Sequence, residues 1–313
     1  MSIRSFWILL SLLIISIASG HSIANVSISR VDFNGWKDSY MMRNDTTTLI
    51  YVPQIGRIMY YGLTNSDNVL WVNPDVAGKS FDPASLGKNW VNFGGDKLWP
   101  APQSRWGWPP SPTIDRGGSR VVILSGNRLL ATGVVDEALG IGFMREISLD
   151  PKNSKVTIKN TLVNHNKLAV EWAVWEVAQV DDPDEVVLPV SDNPKFTEKY
   201  HALNDAPLPL GMATLVGREV HFKRSPVASG KIGSDSTLGF IRGTFKRFQH
   251  PMTFTLSARR EAGKTYPDDD CSLEIYGNAD PAKYVEMEIL SPITKIEPKK
   301  SYSFTTRWEL KTK

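Results

Sequence analysis

The chain has 313 residues, with 36 lysines and arginines against 33 aspartates and glutamates, a formal charge of +3 and one cysteine, Cys271. So even a balance supplies neither a basic surface for nucleic acid nor a charged face for a membrane. A lone cysteine excludes an intramolecular disulfide, so the core alone must hold the fold.

Residues 1–20 carry one early charge, Arg4, then an apolar run from Phe6 to Ile15, then the small residues Ala18, Ser19 and Gly20. That order is the signature of a secretory signal peptide, and the apolar run is short for a membrane span. We therefore expect a secreted or periplasmic protein with no membrane contact after cleavage. Removing Arg4 lowers the formal charge to +2. Residues 21–313 are expected to form a single domain, because β-sandwiches and barrels run long as one unit. Asn25 and Asn44 each open a glycosylation-acceptor triplet, relevant only in a host that glycosylates.

From Asn25 onward the pattern is strand after strand, with no convincing helical period. Residues 48–52 and 57–61 flank Pro53, Gln54, Ile55 and Gly56 as a hairpin-like pair. Arg57 opens the second strand, either as an exposed charge guarding a sheet edge or as a guanidinium pointing into a cleft, able to hold sugar hydroxyls or a carboxylate. An irregular run after Pro74 then delivers residues 90–110, which gather Trp90, Trp99, Trp106 and Trp108 with Asp96, Lys97, Gln103 and Arg105. Gly94 and Gly95 permit positive φ or close approach. Pro100, Pro102, Pro109 and Pro110 remove amide donors, so we expect a stiff loop here, neither helix nor central strand. Its tryptophans either plug one end of a β-sandwich or stack on a ligand.

Strands resume at 119–125, 143–149 and 155–163, with the alternation of half-buried antiparallel sheet. Gly140 and Gly142 lack the third glycine and the helix of a dinucleotide fingerprint, and no cofactor is expected. In the strand at 171–180, Glu171, Ala173, Trp175, Val177 and Gln179 share one face. Trp175 and Gln179 offer a sugar a flat ring and a two-way amide. Glu176 falls on the apolar face, which requires a bulge or a buried partner. The acidic turn at 181–185 lacks the spacing of a calcium loop and is read as solvated charge. The histidines at 165, 201, 221 and 250 have no ligand spacing, so no metal site is expected. A surface excursion over 191–211 precedes strands at 219–223, 238–242, 252–256 and 271–276. In the strand at 284–290, Val285, Met287 and Ile289 make one face, and Glu286 and Glu288 point the other way about 7 Å apart. A last amphipathic strand covers 301–310.

Three segments carry a resemblance. Phe93-Gly94-Gly95-Asp96-Lys97-Leu98-Trp99-Pro100-Ala101-Pro102-Gln103, followed by Trp106, Gly107, Trp108, Pro109 and Pro110, resembles the signature of a domain-of-unknown-function family of galactose-mutarotase-like, aldose-1-epimerase-like proteins. The segments from Pro53 to Met59 and from Tyr284 to Pro292 agree in order and spacing, so the resemblance covers nearly the whole mature chain. It implies an all-β fold, a large antiparallel β-sandwich of the galactose-mutarotase-like supersandwich type, with a sugar-sized cleft.

Mutarotases open and reclose a sugar ring with an acid and a base on opposite sides of it. By resemblance Glu288 is the candidate base and Glu286 the second. The expected histidines have no counterpart: Phe93 precedes the Gly-Gly pair, and Trp175 and Glu176 occupy the central strand. Two functions follow. One is a carbohydrate-binding protein without turnover, stacking a sugar on Trp99, Trp106, Trp108 and Trp175. Its polar contacts would come from Arg57, Asp96, Lys97, Gln103, Gln179, Glu286 and Glu288. The other is an epimerase-type enzyme with Glu288 as base, in which Lys97 or Asp96 supplies the proton or stabilises charge, although the adjacent Asp96 and Lys97 would each keep the other ionised. A structural or interaction domain, its cleft filled by its own side chains, is the third alternative.

Overall fold

The computed structural model describes residues 25–80, 90–204 and 206–312; the expected signal segment at 1–20 lies outside them. In chain order the first ten strands are β1 (Ser27–Phe33), β2 (Trp36–Arg43), β3 (Thr47–Val52), β4 (Arg57–Leu63), β5 (Asp96–Ala101), β6 (Ser119–Leu124), β7 (Arg128–Asp136), β8 (Ile141–Leu149), β9 (Val156–Asn164) and β10 (Val170–Asp181). There follow β11 (Glu185–Pro189), β12 (His201–Ala202), β13 (Ala213–Val216), β14 (Glu219–Phe222), β15 (Gly230–Ser234), β16 (Phe240–Phe245), β17 (Met252–Ser257), β18 (Leu273–Gly277), β19 (Tyr284–Leu290), β20 (Thr294–Ile296) and β21 (Ser301–Thr312). A short helix, α1 (Pro112–Arg116), follows β5.

These strands make two antiparallel sheets, as the alternation predicts. The first runs β1-β2-β3-β4-β5-β10-β19-β18-β15-β12, with β20 beside β10; the second runs β13-β14-β11-β16-β17-β21-β9-β8-β7-β6. Alternation decides which side of each strand is buried. β9 turns Val156, Ile158, Asn160 and Leu162 inward and leaves Thr157 and Lys159 exposed. Between the sheets, Tyr61 of β4 packs on Phe254 of β17 and Trp308 of β21, at ring separations of 5.6 and 5.1 Å.

A polar cluster crosses this apolar layer and resolves the position of Glu176. Its Oε1 accepts from Trp308 Nε1 at 2.7 Å, and its Oε2 accepts from Thr306 Oγ1 at 2.5 Å and from the Asn160 amide. Arg145 of β8 reaches Asp96 Oδ1 at 2.5 Å and lies 3.9 Å from Glu176 Oε2. The pairing of β10 runs without a register shift, so Glu176 is buried with partners and needs no bulge.

Within residues 90–110 the expectation of a loop throughout is corrected, because Asp96–Ala101 is a strand inside the first sheet despite Pro100. The register explains the tolerance. Pro100 faces Val174, whose amide and carbonyl both turn to Ser291 on the far side. The pair is therefore of the non-hydrogen-bonded kind, and Pro100 turns its nitrogen toward β4. β4 pairs with β5 only at Ile58 and Asp96, so the missing donor costs no ladder bond. The two glycines before the strand behave as expected. At Gly94 (φ 84°) a Cβ would lie 2.1 Å from the Trp71 carbonyl oxygen, and at Gly95 (φ 72°) 2.3 Å from Met59 Sδ.

Candidate functional site

Cross-strand register on the outer face of the first sheet gathers the polar and aromatic side chains. Trp175 of β10 lies between Trp99 and Leu290, Val177 between Lys97 and Glu288, and Gln179 beside Glu286. β18 sets Glu274 against Glu288 and Tyr276 against Glu286. β15 places Lys231 opposite Tyr276. Paired residues share a face, so all of these rise on the side away from the core between the sheets.

They floor a cleft of about 340 Å³, within the usual range of small-molecule pockets. Of the expected residues, Lys97, Trp99, Gln103, Trp108, Trp175 and Glu286 line it, together with Trp90 of the same segment. Trp108 is 57% exposed at the mouth and packs 4.9 Å from Trp90. Trp99 lies edge-on to Trp106 at 5.5 Å and to Trp175 at 5.3 Å. Trp106 supports Trp99 and donates its indole N–H to the Pro100 carbonyl at 2.8 Å, so the segment both builds the wall and braces it.

Two lysine–carboxylate groups set the electrostatics. Glu286 Oε1 accepts from Gln179 Nε2 at 2.8 Å and lies 3.4 Å from Lys97 Nζ, and its side chain is 14% exposed. Lys97 Nζ also sits 3.7 Å from the centre of the Trp99 ring. Burial pushes the Lys97 ammonium below its ordinary pKa, with Glu286 pulling the other way. The second group centres on Lys231 Nζ, 2.6 Å from Glu274 Oε2, 3.0 Å from Glu288 Oε2 and 4.8 Å above Trp175. Trp175 Nε1 donates to the same Glu288 oxygen at 2.7 Å. Burial raises Glu288 above the ordinary carboxylate range against the opposing charge of Lys231. It raises Glu274 well above that range, with Lys231 again opposing and Glu288 adding repulsion. Burial depresses Lys231, but its two carboxylates outweigh that and hold it above its usual value.

Glu286, expected as the second carboxylate, is the one at the cleft surface. Glu288 has no exposed area and lies beneath Lys231 and Trp175. Gln179 is likewise buried and acts on the cleft through Glu286.

Two expected residues are elsewhere. Arg57 is neither an edge charge nor a cleft residue: it is fully buried, donating to the Gly94 carbonyl at 2.8 Å and to Asp115 of α1 through its carbonyl at 2.8 Å and its carboxylate at 2.7 Å. Asp96 points to the opposite face from Lys97, as neighbours on a strand must. It pairs with Arg145 between the sheets, so the expected Asp96–Lys97 ion pair is not formed. Burial there raises its carboxyl well above the usual range against the pull of Arg145.

Lys231, Glu274, Tyr276, Asn204, Asn278 and Tyr284 belong to the site or its support without having been singled out as site residues. The alternation in Leu273-Glu274-Ile275-Tyr276 signals a polar face, but only the pairing of β18 with β19 assigns that face to the cleft. A second cavity, of about 40 Å³ beside Tyr51, Asp115 and Arg145, has room for a few waters and none for a sugar.

A family profile described as "Domain of unknown function (DUF4380)" matches residues 39–311. No characterised protein matches in sequence. Among solved structures, a galactose mutarotase related enzyme from Lactobacillus acidophilus superposes with a TM-score of 0.59 at 8% identity, covering 88% of this chain and 97% of that one. A galactose mutarotase-like protein from Lactobacillus casei gives 0.58 at 8% identity, covering 91% and 100%. A TPR-domain containing protein from Parabacteroides distasonis gives 0.57 at 14% identity over 87% of this chain, which spans 46% of that longer one. At such identities these likenesses establish the fold, a galactose-mutarotase-like sandwich.

Proposed function

The chain belongs to the DUF4380 family and has a galactose-mutarotase-like fold, and from that premise we propose that it binds a sugar in the cleft of the first sheet. The observation that carries the proposal is the make-up of the cleft. Indole walls from Trp90, Trp99 and Trp108 stand over a floor that presents Glu286, Lys231 and Tyr276. Flat rings take the CH faces of a pyranose, and paired donors and acceptors take its hydroxyls. With the signal segment expected at 1–20, the protein would act outside the cytoplasm, secreted or periplasmic.

A second use of the cleft, proton transfer to the bound sugar in the manner of an aldose epimerase, is favoured by one pair of observations. Glu288 is raised and Lys97 lowered, both by burial, on one face of the two strands that flank β10. Opposed shifts of this kind give a group that keeps its proton and one that releases it more readily. Against direct transfer, Glu288 is buried and Glu286 is the carboxylate within reach of a ligand.

Saturation-transfer NMR of the mature protein with a panel of aldoses, following the anomeric protons, tests both. Transfer that is weakened in Glu286→Gln and Trp99→Ala supports binding. Accelerated exchange between anomers adds the epimerase. No transfer from any member of the panel contradicts sugar binding.

A further inference from the structure

Charge in the cleft is unbalanced, and the imbalance bears on which sugar fits. The charged groups packed on its floor are Lys97 of β5, Lys231 of β15, Glu274 of β18, and Glu286 and Glu288 of β19; β10 contributes only the uncharged Trp175 and Gln179. Arg57 and Asp115 behind Lys97 neutralise one another, and Asp268 adds a further negative charge near Glu274. His201 at the neighbouring edge is taken up by Asp269 at 2.9 Å. Among the described residues, carboxylates therefore outnumber cations.

Neither lysine is free to receive an anion. Lys231 already contacts two carboxylates, and Lys97 lies between Glu286 and the Trp99 ring. The arginine best suited to a ligand carboxylate, Arg57, is bound to Asp115 and shut away from the cleft. Glu286 is the carboxylate that lines the cleft, and the rings of Trp90, Trp108 and Tyr284 stand around the same space. Glu286 meets both Lys97 and Gln179 through Oε1, which leaves Oε2 for a ligand. A carboxylate set among aromatic faces is the chemistry that recognises an ammonium group.

Building on the sugar-binding proposal, we infer that the cleft selects a sugar carrying an ammonium group over its neutral and carboxylate counterparts, with Glu286 receiving the ammonium. The two buried carboxylates, Glu274 and Glu288, make the selection stronger than Glu286 alone would. With the cleft empty, burial and mutual repulsion across the paired positions of β18 and β19 favour a proton on Glu274 and Glu288, against the pull of Lys231. A bound ammonium supplies that positive charge instead, so the proton leaves to the buffer as the amino sugar enters. Glu274 touches no ligand in this scheme and acts as a positioning residue through Lys231 and Glu288.

Titration calorimetry of the mature protein with glucosamine and galactosamine, their neutral parents, and glucuronate and galacturonate tests the inference. Runs in two buffers of different ionisation enthalpy, at a pH low enough that the free amino sugar is already fully an ammonium, count the protons exchanged. The amino sugar should bind about tenfold tighter than the neutral one, the difference between a charge-assisted and a neutral hydrogen bond, and its binding should release a proton. Glu274→Gln should narrow that preference and abolish the release. The series on the unaltered protein is decisive even if this variant does not fold. Neutral or acidic sugars binding as tightly as amino sugars, or amino-sugar binding without proton release, overturns the inference and leaves sugar binding standing. Silence from the whole panel overturns both.

Discussion

Replacing Arg145 with methionine probes the polar layer that joins the two sheets behind the cleft. Arg145→Met keeps an apolar stem but removes the guanidinium 2.5 Å from Asp96 and 3.9 Å from Glu176. Glu176 retains Asn160, Thr306 and Trp308. Asp96 retains nothing comparable: it is fully buried, and neither carboxyl oxygen has another hydrogen-bond partner among the described residues. Removing one member of a buried pair costs about 3–5 kcal/mol, because the other charge is stranded. At about 2–4 °C per kcal/mol for a protein approaching this size, Tm falls by about 6–20 °C.

The loss also depends on pH in a defined direction. Burial already holds Asp96 above its ordinary range, and removing Arg145 raises it further. A carboxyl whose folded pKa exceeds its unfolded one contributes stability that is present below the unfolded pKa and lost as pH rises through the folded value. Urea denaturation should therefore show a larger loss at about pH 8 than at about pH 5. Adding Asp96→Asn to Arg145→Met should recover much of it. A loss under about 1 kcal/mol at the higher pH, or equal losses at both, would refute the assignment of Asp96 to a structural pair.

Gly95→Ala should destabilise by at least about 1–3 kcal/mol in the same assay, since φ is 72° and the new methyl meets Met59 Sδ and the Ile58 carbonyl oxygen; an unchanged urea midpoint would contradict it. Trp175→Phe keeps a ring against Trp99 but deletes the 2.7 Å bond to Glu288, a charge-assisted bond worth about 1.5–3 kcal/mol. Its melting temperature should fall, and sugar affinity should fall with it. Glu274 and Glu288 are both raised by burial, so their contribution to stability is lost as pH rises from the ordinary carboxylate range through their folded values. Glu274→Gln should flatten that decline in thermal melts across pH, and an unchanged slope would count against the cluster.

Where function was concerned, the sequence displayed faces better than partners. The alternation in residues 171–180 and 284–290 put Trp175 and Gln179 on one face and Glu286 and Glu288 on another, and the pairing of β10 with β19 joins those faces into one floor. What could not be read was pairing over long sequence distance. Glu176 finds Trp308, 132 residues on. Lys231 meets Glu288 only because β18 and β15 follow β19 in the sheet. Pro100 disguised a central strand, because its tolerance depends on β4 breaking away after a single paired position. Arg57 was misplaced for a related reason, since its acceptor Asp115 sits on a helix 58 residues away.

Sugar binding at the cleft is tested most directly by the indole N–H signals of the 15N-labelled protein during titration with a sugar panel. Trp90, Trp99, Trp108 and Trp175 line the cleft, whereas Trp308 lies between the sheets and Trp36 belongs to a separate buried cluster. Sugar binding in the cleft should give saturable shifts of the first four signals with Trp308 and Trp36 unmoved. Shifts confined to other tryptophans, or none with any sugar, would contradict it.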